Sequence, residues 1–351
     1  MSSIDCQKEM KGYHADEVTL SKPDQDEMRA RRDAGRTRLK NGLAEASHAT
    51  PVEIASQGSY AMRTMIEDAD CDYDIDDGVY FEKEDLKKSD GTYLTAPEAR
   101  QRVRDALKDD RLAYDAKVKK NCVRQKYPDG YHIDIPVYRV IKTKEASGLQ
   151  TQHYELASGE EWVKQDARAV TRWYNGKIGQ ELKSGESDTS QTRRMTKLTK
   201  RMARSRGAWK AKTTSGICLS KLVVDHRVLT TDRDDLALRD TWTVVKAQLD
   251  VTLQIVHPVD PAKNLADSGD EKVKFFRECL EEALKKLEVL DKPDCTKAQA
   301  LAAWDDVFNT DYFSKQAEAS KSSLLKAAAS ASAGISFPNR AVVPNKPSGF
   351  A

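Results

Sequence analysis

The sequence predicts an α+β protein in which a mixed α/β first half is backed by a largely helical second half. Residues 72–81 (DYDIDDGVYF) and 130–141 (GYHIDIPVYRVI) alternate in type with the period of a strand. Beyond about residue 160 the apolar residues instead recur every three or four positions, the period of a helix. The length of 351 residues exceeds what one continuous core usually organises, so two lobes sharing an interface are expected.

Taken in order, Ser21 caps a helix whose first turn holds Pro23 and Asp24 and which runs to about Ala46, with Met28, Leu39 and Leu43 as its buried stripe. After Pro51 a short linker precedes Gly58-Ser59, which opens a second helical stretch ending near Asp68. A strand follows over 72–81, with Ile75 and Val79 on one face. Thr95, Pro97 and Glu98 mark a capping box before a helix reaching about Lys108, and 130–141 alternates again as a strand lined by Ile133, Ile135 and Val137. In the second half, Val273, Phe276, Leu280, Leu284 and Leu287 follow a Ser268/Glu271 capping signature, and Thr296 starts a helix through Phe308. The expected organisation is a first lobe over 1–188, a helical lobe over 189–335 and a tail over 336–351, where Pro338, Pro344 and Pro347 accumulate.

Composition narrows the classes. The net charge of +2 gives no global preference for nucleic acid or membrane, so an electrostatic function must come from local clustering. The first thirty residues carry charges throughout and no stretch reaches membrane-spanning length, which points to a cytoplasmic protein with no membrane partner. The six cysteines form no C-x-x-C pair, and reduced thiols are expected.

The chemistry resides in three acids. Asp74 and Asp76 sit two apart on a strand, so both carboxylates project from the face opposite Ile75 and Val79, and Asp77 points away. Two carboxylates at roughly 7 Å Cα spacing repel unless a hard, oxygen-preferring cation lies between them, and Mg²⁺ fits best. The strand that buries Ile133 and Ile135 turns His132 and Asp134 the other way, so Asp134 can join the pair and complete a two-metal phosphoryl-transfer site. The competing reading makes Asp74, Asp76 and Asp77 turn residues before Gly78. Upstream, Gln57-Gly58-Ser59 at a helix start offers backbone N–H groups and a hydroxyl to a phosphate, or is an ordinary N-cap. No G-x-x-x-x-G-K-[ST] sequence occurs, which disfavours a P-loop enzyme.

QGSY at 57–60, YDIDDGVYF at 73–81 and HIDIPVY at 132–138 together resemble the polymerase-β-like nucleotidyltransferase core of the bacterial cGAS/DncV-like nucleotidyltransferases (CD-NTases) of antiphage CBASS systems. The likeness continues more loosely through 198–223 and 257–266. It implies an N-terminal spine helix and a helical second lobe, with metal binding by Asp74, Asp76 and Asp134. It further implies two Mg²⁺ ions, with Mn²⁺ able to substitute, and NTP substrates that include ATP, joined into a cyclic di- or trinucleotide messenger read by a downstream effector. Gly58 and Ser59 match the triphosphate loop, with Gln57 beside them. Lys200 and Ser215 are the counterparts of the lysine and serine that hold phosphates from the helical lobe, although Lys197, Arg201 and Arg204 lie within one helical turn of that lysine. The zinc-binding insertion of the animal homologue has no counterpart here, which argues against sensing of double-stranded DNA. A related transferase acting on RNA, protein or a small molecule would use the same acids.

Two segments remain. Nine lysines and arginines lie between Arg193 and Lys212 with no acid among them. They could balance a triphosphate, or form an RNA or DNA groove with Trp209 as a stacking platform in a non-catalytic binding module. The terminal NKPSGFA resembles CD-NTase ends that an E1/E2-like ligase joins covalently to other molecules through the last carboxylate, here Ala351; the competing reading is a mobile end without a role.

Overall fold

The structure, a computed structural model, describes residues 4–68, 73–144, 150–181 and 190–319. The tail and Ala351 lie outside the described residues, as does Cys71; the other five cysteines are free thiols. Among the described residues no helix is long and apolar enough to cross a membrane.

The first half begins with α1 (Gln7–Tyr13) and the long α2 (Lys22–Glu45). Ser21 caps α2 by accepting from the Asp24 N–H, and Met28, Leu39 and Leu43 are buried, as its sequence requires. Then come β1 (Glu53–Gln57), the single-turn α3 (Gly58–Ala61), β2 (Asp74–Glu82) and α4 (Ala96–Ala106), whose Thr95/Glu98 capping box is formed. The helix expected to reach Asp68 therefore ends at Ala61. Arg63 adopts positive φ (54°), which breaks the helical path at once.

The strands β3 (Lys117–Val118), β4 (Val123–Lys126), β5 (His132–Ile135), β6 (Val137–Lys144), β7 (Gln150–Ser158) and β8 (Glu161–Lys164) complete one mixed sheet in the order β3-β4-β5-β2-β6-β7-β8, with β1 antiparallel on β2. The strand expected over 130–141 is interrupted at Pro136, which has no N–H to give the ladder. Both halves nevertheless pair parallel to β2 with the same offset, Asp74 against His132 and Val79 against Val137. Val79 N–H donates to the Pro136 carbonyl (2.9 Å) and bridges the gap. In the β2–β5 part of this ladder Asp76 and Asp134 stand side by side.

One face of the sheet, with Ile75, Val79, Phe81, Ile133, Ile135 and Val137, packs under α2 and α4. The opposite face carries Asp74, Asp76, Tyr80, His132, Asp134 and Tyr138, and near its end lies α5 (Ala167–Gly179), capped by Asp166.

The second half contains α6 (Gln191–Ala203), α7 (Gly207–Lys210), α8 (Gly216–His226), α9 (Asp234–Val251), a small hairpin of β9 (Ile255–Val256) and β10 (Asn264–Ala266), α10 (Glu271–Leu287) and α11 (Lys297–Phe308). Its core is built on Trp242, Trp304, Phe276 and Phe308. Cys6, Met10, Tyr13 and Val18 join the same cluster, so the chain begins in the helical lobe before α2 crosses to the sheet. The cap of α10 is Asp270, accepting from Lys272 and Val273 N–H (both 2.9 Å), and not Ser268; a carboxylate directly before the first turn outcompetes a hydroxyl two residues earlier.

Candidate active site

Strand alternation places Asp74 and Asp76 on the open face and Asp77 beneath it. Asp77 is buried and held by Arg36 of α2 (2.7 and 2.5 Å), and it accepts from Ser56 Oγ (2.9 Å). It is a fastener between sheet and spine helix, as a side chain on the core face must be if charged.

On the open face, register brings His132 beside Asp74 and Asp134 beside Asp76. One ligand atom each of Asp74, His132 and Asp134 lies within 4.8 Å of the others. This tight trio contains a histidine where three aspartates were expected. Asp76 is set against the Gly58 loop: a Cβ on Gly58 would fall 2.2 Å from Asp76 Oδ2. Burial, then the charges of Asp74 and Asp134, push the Asp76 carboxyl up to about 8, with Arg124 pulling the other way. Asp134 itself is gripped by Arg124 through two 2.7 Å hydrogen bonds.

The donor set fits a divalent cation. Burial first, and repulsion from the two neighbouring carboxylates second, favour the protonated Asp76, and an oxygen-seeking dication would offset both while keeping several oxygens as ligands.

The loop over the acids is equally specific. Gly58 has φ +63°, a conformation other residues rarely adopt, and no side chain fits between its backbone and Asp76. Ser59 lies in the one-turn α3, so a long-helix dipole is unavailable and anion attraction there rests on local N–H groups and the hydroxyl. Gln57 is turned inward: its amide donates to Tyr138 Oη and accepts from Tyr80 Oη (both 3.3 Å), and the two tyrosine rings stack on each other 4.6 Å apart. Its side chain braces the loop from below.

From the helical lobe, Lys200 reaches the segment just after that loop, donating to the Thr64 carbonyl (3.0 Å) and hydroxyl (2.8 Å). It is buried, and desolvation, reinforced by Arg204 and Lys197, lowers its ammonium to about 7. Ser215 caps α8, accepting from Cys218 N–H (3.4 Å), and the adjoining Gly216 backbone stands close to Lys200. Lys200 and Ser215 are thus neighbours. Of the nearby cations, Lys197 donates to Thr19 Oγ1 (3.4 Å), Arg201 to the Glu67 carbonyl (3.3 Å), and Arg204 is exposed.

The basic run is mostly spent inside the molecule. Arg193 donates to the Met62 carbonyl, Arg194 pairs with Asp234, Lys210 with Asp68, and Arg206 reaches the Asp306 and Val307 carbonyls. Arg193 and Lys210, together with Lys200 and Arg201, clasp residues 62–68, the connection between loop and acids, while Arg194 and Arg206 tie the helical lobe to itself. Trp209, offered as a stacking platform, has Arg206 over its ring (4.2 Å) and Phe275 against its edge. Sequence reasoning missed Arg124 and Thr64 as neighbours of the site. Arg124 sits on a four-residue strand whose hairpin register no pattern announces.

Strand-borne acids beneath a glycine-serine loop, on a mixed sheet backed by a helical lobe, define a nucleotidyltransferase. Residues 52–138 match the family model described as the nucleotidyltransferase domain of cyclic GMP-AMP synthase DncV-like proteins. That stretch, which holds Gly58, Asp74, Asp76 and Asp134, is a nucleotidyltransferase domain of the DncV-like kind.

Its fold is similar to three solved structures in particular. With Vibrio cholerae DncV cyclic AMP-GMP synthase the TM-score is 0.67 at 16% identity, covering 89% of this chain and 97% of that one. With CdnC of Escherichia coli MS115-1, solved with ATP, it is 0.64 at 15%, covering 88% and 99%. With Bradyrhizobium diazoefficiens CdnG, in complex with GTP, it is 0.63 at 16%, covering 89% and 98%.

Proposed function

We infer that the protein joins nucleoside triphosphates, ATP among them, into a cyclic di- or trinucleotide messenger. The observation carrying this is the convergence of Asp74, Asp76 and Asp134 on one sheet face, with Asp76 against the Gly58 backbone. The reading is supported by the likeness to a cyclic AMP-GMP synthase, one structure of which contains the linear intermediate 5′ pppA(3′,5′)pG.

Asp74, Asp76 and Asp134 would hold two divalent cations, Mg²⁺ or Mn²⁺ in its place. Such ions, when bound, neutralise the triphosphate and lower the pKa of an attacking hydroxyl. The chain's own residues do the positioning. Gly58 lets the backbone approach the phosphates, the Ser59 hydroxyl donates to them, and Gln57 keeps the loop in place through the two tyrosines. Lys200 and Ser215 close the triphosphate from the helical side; a phosphate beside Lys200 stabilises the ammonium that burial otherwise destabilises. Arg124 orients Asp134. The acceptor's 3′- or 2′-hydroxyl attacks the α-phosphorus in line and gives up its proton to solvent, a P–O bond forms, the bond to the β-phosphate bridge breaks, and pyrophosphate leaves. A second transfer closes the ring.

In the cell the reading is a cytoplasmic antiphage signalling enzyme whose product acts on a separate effector. An E1/E2-like ligase acting on Ala351 belongs to the same proposal. CdnC has been solved in complex with a HORMA protein, which supports a protein partner here as well. The test is product analysis: with Mg²⁺ and all four NTPs, the protein releases pyrophosphate and forms a phosphatase-resistant product whose mass and nuclease pattern give bases, ring size and linkage. Asp74→Asn with Asp76→Asn abolishes both. A nucleotide attached to RNA, protein or a small molecule would instead establish the related transferase. Steeply salt-dependent RNA binding without NTP turnover would establish a binding module.

A further inference from the structure

We propose that His132 supplies a nitrogen ligand to the cation seat it shares with Asp74 and Asp134, and that this donor tilts the seat toward Mn²⁺ and similar transition ions over Mg²⁺. This rests on the reading that the acids hold divalent cations, and adds a ligand and a selectivity to it.

The parallel register sets His132 against Asp74 on the open face, while its neighbours Ile133 and Ile135 fill the core on the other. Its Nε2 stands 4.0 Å from Asp74 Oδ2, and one donor atom from each of Asp74, His132 and Asp134 falls within 4.8 Å of the others. Around a six-coordinate ion with bonds of roughly 2.1 Å, ligand atoms lie about 3 Å apart when adjacent and about 4.2 Å when opposite, so small rotations bring this trio onto one ion. The imidazole is only 6% exposed, so its ring faces the acids and not bulk water.

Arg124 does not close the seat. It donates one hydrogen bond to each Asp134 oxygen, and with the Cys122 thiol also on that carboxylate an acceptor position is still left for an ion. Its effect is to fix the carboxylate plane, as partners behind metal ligands do. Mg²⁺ demands oxygen and keeps its waters, whereas imidazole suits transition ions. An Asp-His-Asp set is therefore more selective than three aspartates.

The test uses the full-length, nucleotide-free protein with Mn²⁺ as the probe. Pulsed electron paramagnetic resonance of bound Mn²⁺ shows ¹⁴N modulation from a directly ligated imidazole in the parent, a result that needs no variant. His132→Gln removes the modulation and weakens Mn²⁺ about tenfold, while Mg²⁺ affinity, measured by competition, changes less than about twofold. A parent that binds no Mn²⁺, bound Mn²⁺ without ¹⁴N modulation, modulation that survives His132→Gln, or equal weakening of both ions overturns the proposal. Pyrophosphate release separates the two levels. A parent that turns over NTPs without ¹⁴N modulation loses only the histidine ligand. A seat that still binds Mn²⁺ after Asp74→Asn with Asp134→Asn refutes the metal reading as well.

Discussion

Asp76→Asn should make the metal-free protein more stable while destroying its activity. The unfolded carboxyl ionises near 3.8, whereas in the folded chain burial, Asp74 and Asp134 push it up to about 8. A folded pKa raised above the unfolded one means that the native state binds the extra proton. Stability is then complete below about pH 4, falls as pH rises through the interval, and levels off above about pH 8. Each pH unit in that window costs about 1.4 kcal/mol, so by pH 7 the penalty is on the order of a few kcal/mol. Asparagine fills the same space without the charge and escapes it. Thermal unfolding in EDTA across pH 5 to 8.5 should show the variant's advantage growing with pH to about 10 °C, taking about 2 °C per kcal/mol for a chain of this size. Adding Mg²⁺ should raise the parent's midpoint and leave the variant's almost unchanged, and pyrophosphate release should drop by at least about 100-fold in the variant. A variant less stable than the parent at pH 7.5 without metal, or a stability difference independent of pH, would refute the electrostatic reasoning.

Three further substitutions probe other parts of the site. Gly58→Ala combines a left-handed backbone, costing about 1–2 kcal/mol, with a methyl group driven onto Asp76; steady-state kinetics should show KM for NTP raised and kcat lowered, each by about tenfold. Asp77→Asn should lower stability in urea by about 1–3 kcal/mol through the loss of its charged bond to Arg36, yet retain more than about half the parent's kcat, because it faces the spine helix; loss of turnover on the scale of Asp76→Asn would contradict that placement. Lys200→Ala should raise KM about tenfold with kcat within about twofold, and unchanged kinetics would pass the phosphate role to Lys197, Arg201 or Arg204.

Much of this was legible in the sequence wherever side-chain period and backbone geometry coincide. Alternation over Asp74, Ile75 and Asp76 gives the faces of β2 before any coordinates exist, and it separates the fastener Asp77 from the acids of the open face. Ser21, Thr95 and Thr296 cap as local chemistry dictates. The site was harder where long-range pairing decides. That His132 stands beside Asp74 depends on the parallel β2–β5 register, and that Arg124 clamps Asp134 depends on the β4–β5 hairpin; neither is a local property. The helix expected after Gly58 ends after one turn because Arg63 takes a left-handed conformation and tertiary contacts from Arg193, Lys200 and Arg201 hold residues 62–67 in irregular backbone. The same contacts explain why a run of nine cations, read in isolation as a possible nucleic-acid surface, is largely an internal clasp.

Crystals of the full-length protein grown with Mn²⁺ and a non-reactive ATP analogue offer the most direct test, because anomalous scattering locates the ions independently of any assumed chemistry. The account predicts Mn²⁺ peaks bounded by the Asp74, Asp76 and Asp134 carboxylates, with the analogue's phosphates against the Gly58 and Ser59 backbone. Ions or phosphates bound anywhere else on the sheet or helical lobe, with this cluster bare, would contradict it.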